Sequence, residues 1–432
     1  MGNSQTKTRG VSTNESFKRY KAYGKCHTCK HFNTNVAWCQ LCDPKKLISQ
    51  FEGAGGSGDQ VIDDFLEDLW IHTEEYEKIV EWIPFERFEG VQEIGKGGFS
   101  YVYSATWVDG LRKLKSLEAD AEQTRTGPSV VALKSITKSD NLTIEFLKEF
   151  RHQYYNCIKN KLGKYFTFYG ITYHPTKKEY MLVIDYADRG DLRSCLTNSR
   201  LYWSEKLQIL TDVSFALHNI HHAEYVHKDL HSGNILCKTN NVRDTIVSYI
   251  SDLGLSNVHA NLVERLNQKN NYSIYGVLPY ISPEVLCGQE YTSASDIYSL
   301  GVIMSELSTN KPPFFNLPHN QALALKICDG LRPGFSKNTP ECYIKLANQC
   351  MDMDPEKRPT AEELRDKFWN WNEINQHIKK QFDDADRQQY EEEVDDDDTL
   401  QIHPEAIYIC RVMNLGNLNE IGVEDENADY EE

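Results

Sequence analysis

No stretch of the 432 residues approaches the ~18 consecutive apolar side chains of a membrane-spanning helix, which excludes an integral helical membrane protein. The N-terminus also lacks the apolar core of a signal peptide. Without an export signal, the 12 cysteines are expected in the reducing cytoplasm, where thiols pack or bind metal rather than pair. Internal repeats are absent. Hydrophobic residues at 40% and charged residues at 26% are neither collagen-like nor wholly disordered in composition. At roughly 100–200 residues per domain, the length accommodates two or three folding units. Positive charge is scarce overall, with a formal net charge of -17, but the deficit is local. Residues 383–432 hold 18 acids and two bases, leaving 46 acids against 45 bases elsewhere. The body is close to neutral, and no nucleic-acid partner is implied.

Residues 1–25 are a polar, basic leader with too few apolar side chains to fold alone. Met1 to Lys30 carries seven bases and one acid. A cysteine patch over 26–42 follows, and then 43–58, a linker by composition that ends in Gly53-Ala54-Gly55-Gly56-Ser57-Gly58. Over 59–84, Val61, Phe65, Leu69, His72, Tyr76 and Ile79 recur at helical spacing, which predicts an amphipathic helix stopped by Pro84. From 85 to 371 the chain is dense with structure. Short β-like runs (Tyr101-Val102-Tyr103, Val130 to Leu133, Met181 to Ile184) come first. Helical patterns follow, one of them with Ile297, Leu300, Met304 and Leu307 on a face. Strands first and helices second predict an α+β chain in two lobes. Residues 383–432 form an acidic tail whose block Glu391 to Asp398 should repel itself into disorder. One apolar island, Ala406-Ile407-Tyr408-Ile409, interrupts it.

The chemistry-bearing residues come in a fixed order. Ile94-Gly95-Lys96-Gly97-Gly98-Phe99-Ser100-Tyr101-Val102 sits where a strand should turn, and its glycines let backbone amides cover phosphates. Val131-Ala132-Leu133-Lys134 then places a lysine at a strand end. Glu149 lies on a helix at a distance suited to pairing with it. His227-Lys228-Asp229-Leu230-His231-Ser232-Gly233-Asn234 follows a helix. Ser251-Asp252-Leu253-Gly254, Ser282-Pro283-Glu284, Asp296 and Arg358 complete the series.

In order and spacing these motifs resemble a eukaryotic protein kinase domain, over about two-thirds of the chain. The resemblance is to the tyrosine-kinase-like Ser/Thr branch, and the layout is similar to expanded fungal kinase families with an N-terminal Cys motif. It implies a bilobal fold, with a small β-rich N-lobe and a larger helical C-lobe. It also implies ATP- and Mg-dependent transfer of the γ-phosphate to Ser/Thr hydroxyls of protein substrates in signalling. By the same resemblance, Ile94, Gly95, Lys96, Gly97, Gly98, Phe99, Ser100, Val102 and Ala132 contact ATP. Lys134 holds its phosphates and pairs with Glu149. Ile184 is the gatekeeper, and Asp185 and Ala187 belong to the hinge. Asn234 and Asp252 are the Mg²⁺ ligands, and Asp229 orients the acceptor hydroxyl. Glu284 and Arg358 form a structural ion pair, and Asp296 braces the catalytic loop.

Four positions depart from the pattern. Ser100 replaces the third glycine of the loop, and Lys228 replaces an arginine, turning a bidentate phosphate clamp into a point charge. His231 stands where Ser/Thr kinases place lysine, and Val277 stands where they place threonine. An imidazolium at His231 would make activity fall from pH 6 to 8. A kinase-like scaffold without useful transfer is the alternative that these changes suggest.

Cys26-x2-Cys29-x9-Cys39-x2-Cys42 has the two-knuckle spacing of a tetrahedral Zn²⁺ site. Four free cysteines in a polar leader is the plainer alternative. A third functional reading makes this knuckle the main binding module and the kinase fold its regulator. Met1-Gly2-Asn3-Ser4-Gln5-Thr6 fits an N-myristoylation pattern at Gly2. One acyl chain binds membranes marginally, so Lys7, Arg9, Lys18, Arg19, Lys21 and Lys25 would supply the second signal for a membrane surface. A solvated basic leader explains the same residues.

Overall fold

The computed structural model describes residues 23–96, 101–116, 121–135, 147, 167–240, 244–252, 273–392 and 401–414. The chain divides into two units, 1–147 with 167–186 and 148–166 with 187–432.

The first unit is built on a six-stranded sheet in the order β1-β7-β8-β6-β3-β2. Its strands are β1 (Glu81–Trp82), β2 (Phe88–Lys96), β3 (Tyr101–Trp107), β6 (Ser129–Ser135), β7 (Phe168–His174) and β8 (Glu179–Asp185), with a hairpin β4 (Arg112–Leu114) and β5 (Gln123–Arg125) beside it. Alternation decides the faces. Tyr103, Ala105, Trp107, Val131, Leu133, Met181 and Val183 form one buried cluster, so the residues between them point the other way. β1 is parallel to β7, and the approach is close. A Cβ on Gly170 would lie 2.2 Å from the Glu81 carbonyl oxygen, which only glycine avoids. The Glu81 carboxylate, largely buried, holds Arg112 and Arg125 and so ties the hairpin to this strand.

The residues before this sheet differ from the sequence expectation in two ways. The 43–58 linker is helical over α1 (Asp43–Gly53); only its glycine-rich end connects. Pro44 sits in the first turn, where it costs no hydrogen bond. The amphipathic 59–84 segment is helical only over α2 (Gln60–His72), with Asp59 as N-cap. Its buried face is Ile62, Phe65, Leu66, Leu69 and Trp70, while Val61 is exposed. Tyr76 and Ile79 are buried after the helix has ended. They lie in a 3₁₀ turn and its cap. The Trp70 indole N–H donates to Val80 O at 2.6 Å, and Phe51 of α1 meets its ring edge-on at 5.2 Å.

The second unit is helical around α4 (Trp203–His222) and α5 (Ser293–Thr309), with α3 (Leu192–Asn198), α6 (Gln321–Cys328), α7 (Glu341–Cys350), α8 (Ala361–Trp369) and α9 (Gln376–Glu392). Fourteen of the residues of α5 are buried, Asp296 and Glu306 among them, so its polar side chains must find partners inside the unit. The hairpin of β9 (Ile235–Asn240) and β10 (Thr245–Ile250) follows the catalytic loop, and β11 (Ser273–Gly276) pairs antiparallel with β12 (Arg411–Asn414).

The acidic tail expected to be disordered from Asp383 is ordered in two parts. Helix α9 runs on to Glu392 because its inner face is apolar. Phe382 and Ala385 are buried, the Phe382 ring lying 5.2 Å from that of Trp203. Asp386 accepts the Trp203 amide N–H at 3.0 Å, an anion at the positive end of α4. The second part is 401–414, around the apolar island. Among the described residues no helix is long and apolar enough to cross a membrane.

Candidate active site

Within the first unit, strand register groups several of the candidate residues. Lys134 lies opposite Val102 on β3 and Leu182 on β8, and Ala132 lies opposite Ser104 and Ile184. Val102, Ala132, Lys134 and Ile184 therefore share the sheet face away from the buried cluster. Gly95 pairs with Val102 on the outgoing strand, and Ile94 is half exposed beside it. Asp185 donates its amide to Thr167 O at 3.0 Å and receives the Tyr169 hydroxyl at 3.1 Å. Lys96 ends β2. Gly97, Gly98, Phe99, Ser100, Glu149, Gly2 and the leader up to residue 22 lie outside the described residues.

The second unit holds its own set of candidate residues. There Ala187 O accepts the Gly190 N–H at 3.1 Å. Between α4 and β9, two backbone anchors shape the loop. Asp296 on α5 accepts the amides of His227 (2.8 Å) and Lys228 (3.0 Å) and is met by His221 Nε2 at 2.9 Å. The clamp holds Lys228 in the left-handed region, φ 68°. The His227 ring is fully buried and spans Ser251 O (3.0 Å) and the Asp229 N–H (3.3 Å). Asn234 donates its side-chain N–H to Asp229 O at 2.8 Å, and its own carbonyl accepts the Ser251 amide at 2.8 Å. One chain of hydrogen bonds thus joins Asp229, Asn234 and Ser251, the residue before Asp252. Asp252 itself has φ 65°. Glu284 and Arg358 form a buried bidentate pair, both contacts 2.7 Å.

Burial pushes the Asp229 carboxyl up to about 6; the neighbouring Cys410, His227 and Asn234 side chains oppose the rise, and the nearby Asp252 carboxylate adds to it. The Cys410 thiol also neighbours the Tyr275 hydroxyl. His231 corrects the expectation of an imidazolium. Its side chain is 8% exposed, and burial together with Arg193 and His227 holds its pKa well below 6.5. Nδ1 accepts the Gly233 N–H at 3.1 Å, and Nε2 lies 3.8 Å from Asp229 Oδ1.

Sequence reasoning missed the polar cluster behind this loop. Glu306, buried on α5, accepts the Tyr280 hydroxyl at 2.7 Å and that of Ser232 at 2.9 Å. Arg193 Nε stands 3.7 Å from it. The available signal was a carboxylate among Ile303, Met304 and Leu307. Val277, at the missing threonine, is buried.

In the first unit the four cysteines Cys26, Cys29, Cys39 and Cys42 converge, with all four sulfurs within 4.8 Å of one another. Cys29 and Cys39 are 3.6 Å apart. Sulfurs at ~2.3 Å around a tetrahedral Zn²⁺ would be about 3.8 Å apart, so the donor set fits. Burial works against ionisation of Cys26, but the Cys29 and Thr28 amides bring its pKa down to about 7. The knuckle is not free-standing. Trp38 is 1% exposed and donates to Thr73 O at 3.0 Å, and Gln123 reaches Ala37 O at 2.8 Å.

Comparison with known proteins gives the same answer. The family model described as protein tyrosine and serine/threonine kinase matches residues 88–368, well over half the chain. A probable serine/threonine-protein kinase of Dictyostelium discoideum, drkA, is 30% identical over 281 residues, covering 64% of this chain and 38% of that protein. A second from the same organism, drkB, is 30% identical over 62% of this chain and 35% of its own length. The MDIS1-interacting receptor like kinase 2 of Arabidopsis thaliana is 29% identical over 64% and 25%. The chain thus spans well under two-thirds of the length of these relatives.

Proposed function

The chain belongs to the protein tyrosine and serine/threonine kinase family and is a protein kinase; from that premise we propose that it transfers the γ-phosphate of MgATP to Ser and Thr hydroxyls of protein substrates in signalling. The observation that carries this reading is the hydrogen-bonded run Asp229–Asn234–Ser251, which Asp252 follows directly in the chain. It holds a carboxylate beside two oxygen ligands of the hard type that Mg²⁺ prefers.

Asp229 accepts the proton of the attacking hydroxyl. Asn234 and Asp252 would hold Mg²⁺, which when bound neutralises charge on the phosphates. Lys134 holds the α- and β-phosphates, with Glu149 as its partner, and residues 94–100 cover them. Val102, Ala132 and Ile184 supply the apolar wall for adenine, and the backbone of 185–187 reads its edge. Positioning and electrostatics carry the rate, because little covalent work falls to the protein. The four cysteines would hold one structural Zn²⁺. Their packing through Trp38 favours a stabilising role over a separate binding module.

A scaffold without transfer is not favoured, because Lys134, Asp229, Asn234 and Asp252 are all present. The test is incubation with γ-labelled MgATP and a mixed protein substrate, followed by phosphoamino-acid analysis. Phosphoserine and phosphothreonine are expected. Phosphotyrosine alone would overturn the acceptor assignment.

A further inference from the structure

The segment 401–414 does more than cover the second unit. His319 N–H donates to Glu405 O at 3.0 Å, and the Tyr408 hydroxyl donates to Pro313 O at 2.8 Å. Arg193 donates to Tyr408 O at 3.0 Å, with its guanidinium 4.8 Å from the Tyr408 ring centre. Beyond this anchor the chain becomes β12 and adds to β11 by register pairs Gly276–Arg411, Tyr275–Val412 and Ile274–Met413. Met413 and Ile274 are both buried. Between the aromatic anchor and the paired strand lies Cys410, its thiol a neighbour of the Asp229 carboxyl.

An extended peptide held by strand addition, with a thiol beside the base, has the posture a substrate must take. Serine differs from cysteine only in carrying oxygen for sulfur. We propose that 402–414 is an internal pseudosubstrate, lying in the peptide site with Cys410 where the acceptor hydroxyl of a substrate belongs. The proposal rests on the reading of Asp229 as the base. Thiol sulfur makes a weaker bond to phosphorus than the P–O bond that would be broken, so the segment occupies the site without being consumed. Its contacts also define the substrate class. The site takes an extended peptide with an aromatic residue two positions before the acceptor, over Arg193. A basic residue follows the acceptor directly, and an apolar residue lies three positions after it, against Ile274.

The full chain with Cys410→Ser supplies the test. The introduced hydroxyl attacks the γ-phosphorus of ATP, its proton passes to Asp229, the bond from the γ-phosphorus to the β,γ-bridging oxygen breaks and ADP leaves. Mass spectrometry should find phosphate at position 410, formed at a first-order rate independent of protein concentration. In parallel, Tyr408→Ala and Met413→Asp should each raise phosphorylation of a generic protein substrate about tenfold over wild type, by freeing the site. In a chain that phosphorylates the generic substrate, an unlabelled position 410, concentration-dependent labelling or no acceleration overturns the proposal. Silence toward every substrate in every variant overturns instead the kinase reading beneath it.

Discussion

His231 shows how a single side chain can carry the right chemistry in the wrong state. Placed two residues after Asp229, it suggests a cation near the transferring phosphate. Its surroundings forbid the charge: it is buried, Arg193 and His227 lie on one side, and Tyr280 stacks obliquely at 5.9 Å. Asp229 Oδ1, at 3.8 Å, is the ring's acidic neighbour among the described residues. With its pKa well below 6.5, the ring is neutral throughout pH 6–8 and gives no titration step there. His231→Gln should therefore change the height but not the shape of the pH–rate profile between 6 and 8. A limb present in wild type and lost in the variant would contradict this. Glu306 is the complementary case, a buried carboxylate whose two hydroxyl partners depend on it. Glu306→Leu should strand Tyr280, Ser232 and Arg193 and cost about 3 kcal/mol in a denaturant titration. A loss within ~0.5 kcal/mol would show the cluster to be dispensable.

Among the elements, legibility followed locality. The Cys knuckle, the strand of Lys134 and the catalytic loop each place their key residues within a few positions of one another, so spacing alone marks them. The cluster of Arg193, Ser232, Tyr280 and Glu306 comes from four distant segments, and no local pattern joins them. Helix α9 was hidden for another reason. Its solvent face is acidic, and charge counting sees that face, whereas Phe382 and Ala385 on the inner face decide its order. The knuckle carries a prediction at this scale. Because Trp38 packs beneath it and bonds Thr73, metal and the first unit should be coupled. The full chain is expected to hold about one Zn²⁺, and chelation or Cys39→Ser should lower its Tm by several degrees. Metal-free protein from a chelator-free preparation, or an unchanged Tm, would contradict the coupling.

For the whole molecule, the net charge of -17 describes the tail rather than the body, and the tail is where sequence and structure part most. Like-charge repulsion predicts disorder from residue 383, yet 401–414 is built into the second unit through one strand and one aromatic anchor. The two-unit α+β architecture was legible throughout, because strand-rich and helix-rich halves follow each other along the chain. The account stands or falls on Asp229 as the base of a working phosphotransferase. The direct measurement is MgATP binding and phosphoryl transfer, side by side, for wild type and Asp229→Asn. Lys134 and Asp252 remain in the variant, so MgATP affinity should stay within about threefold, while transfer should fall roughly 10²–10⁴-fold. Transfer within tenfold of wild type, or binding lost together with transfer, would contradict it.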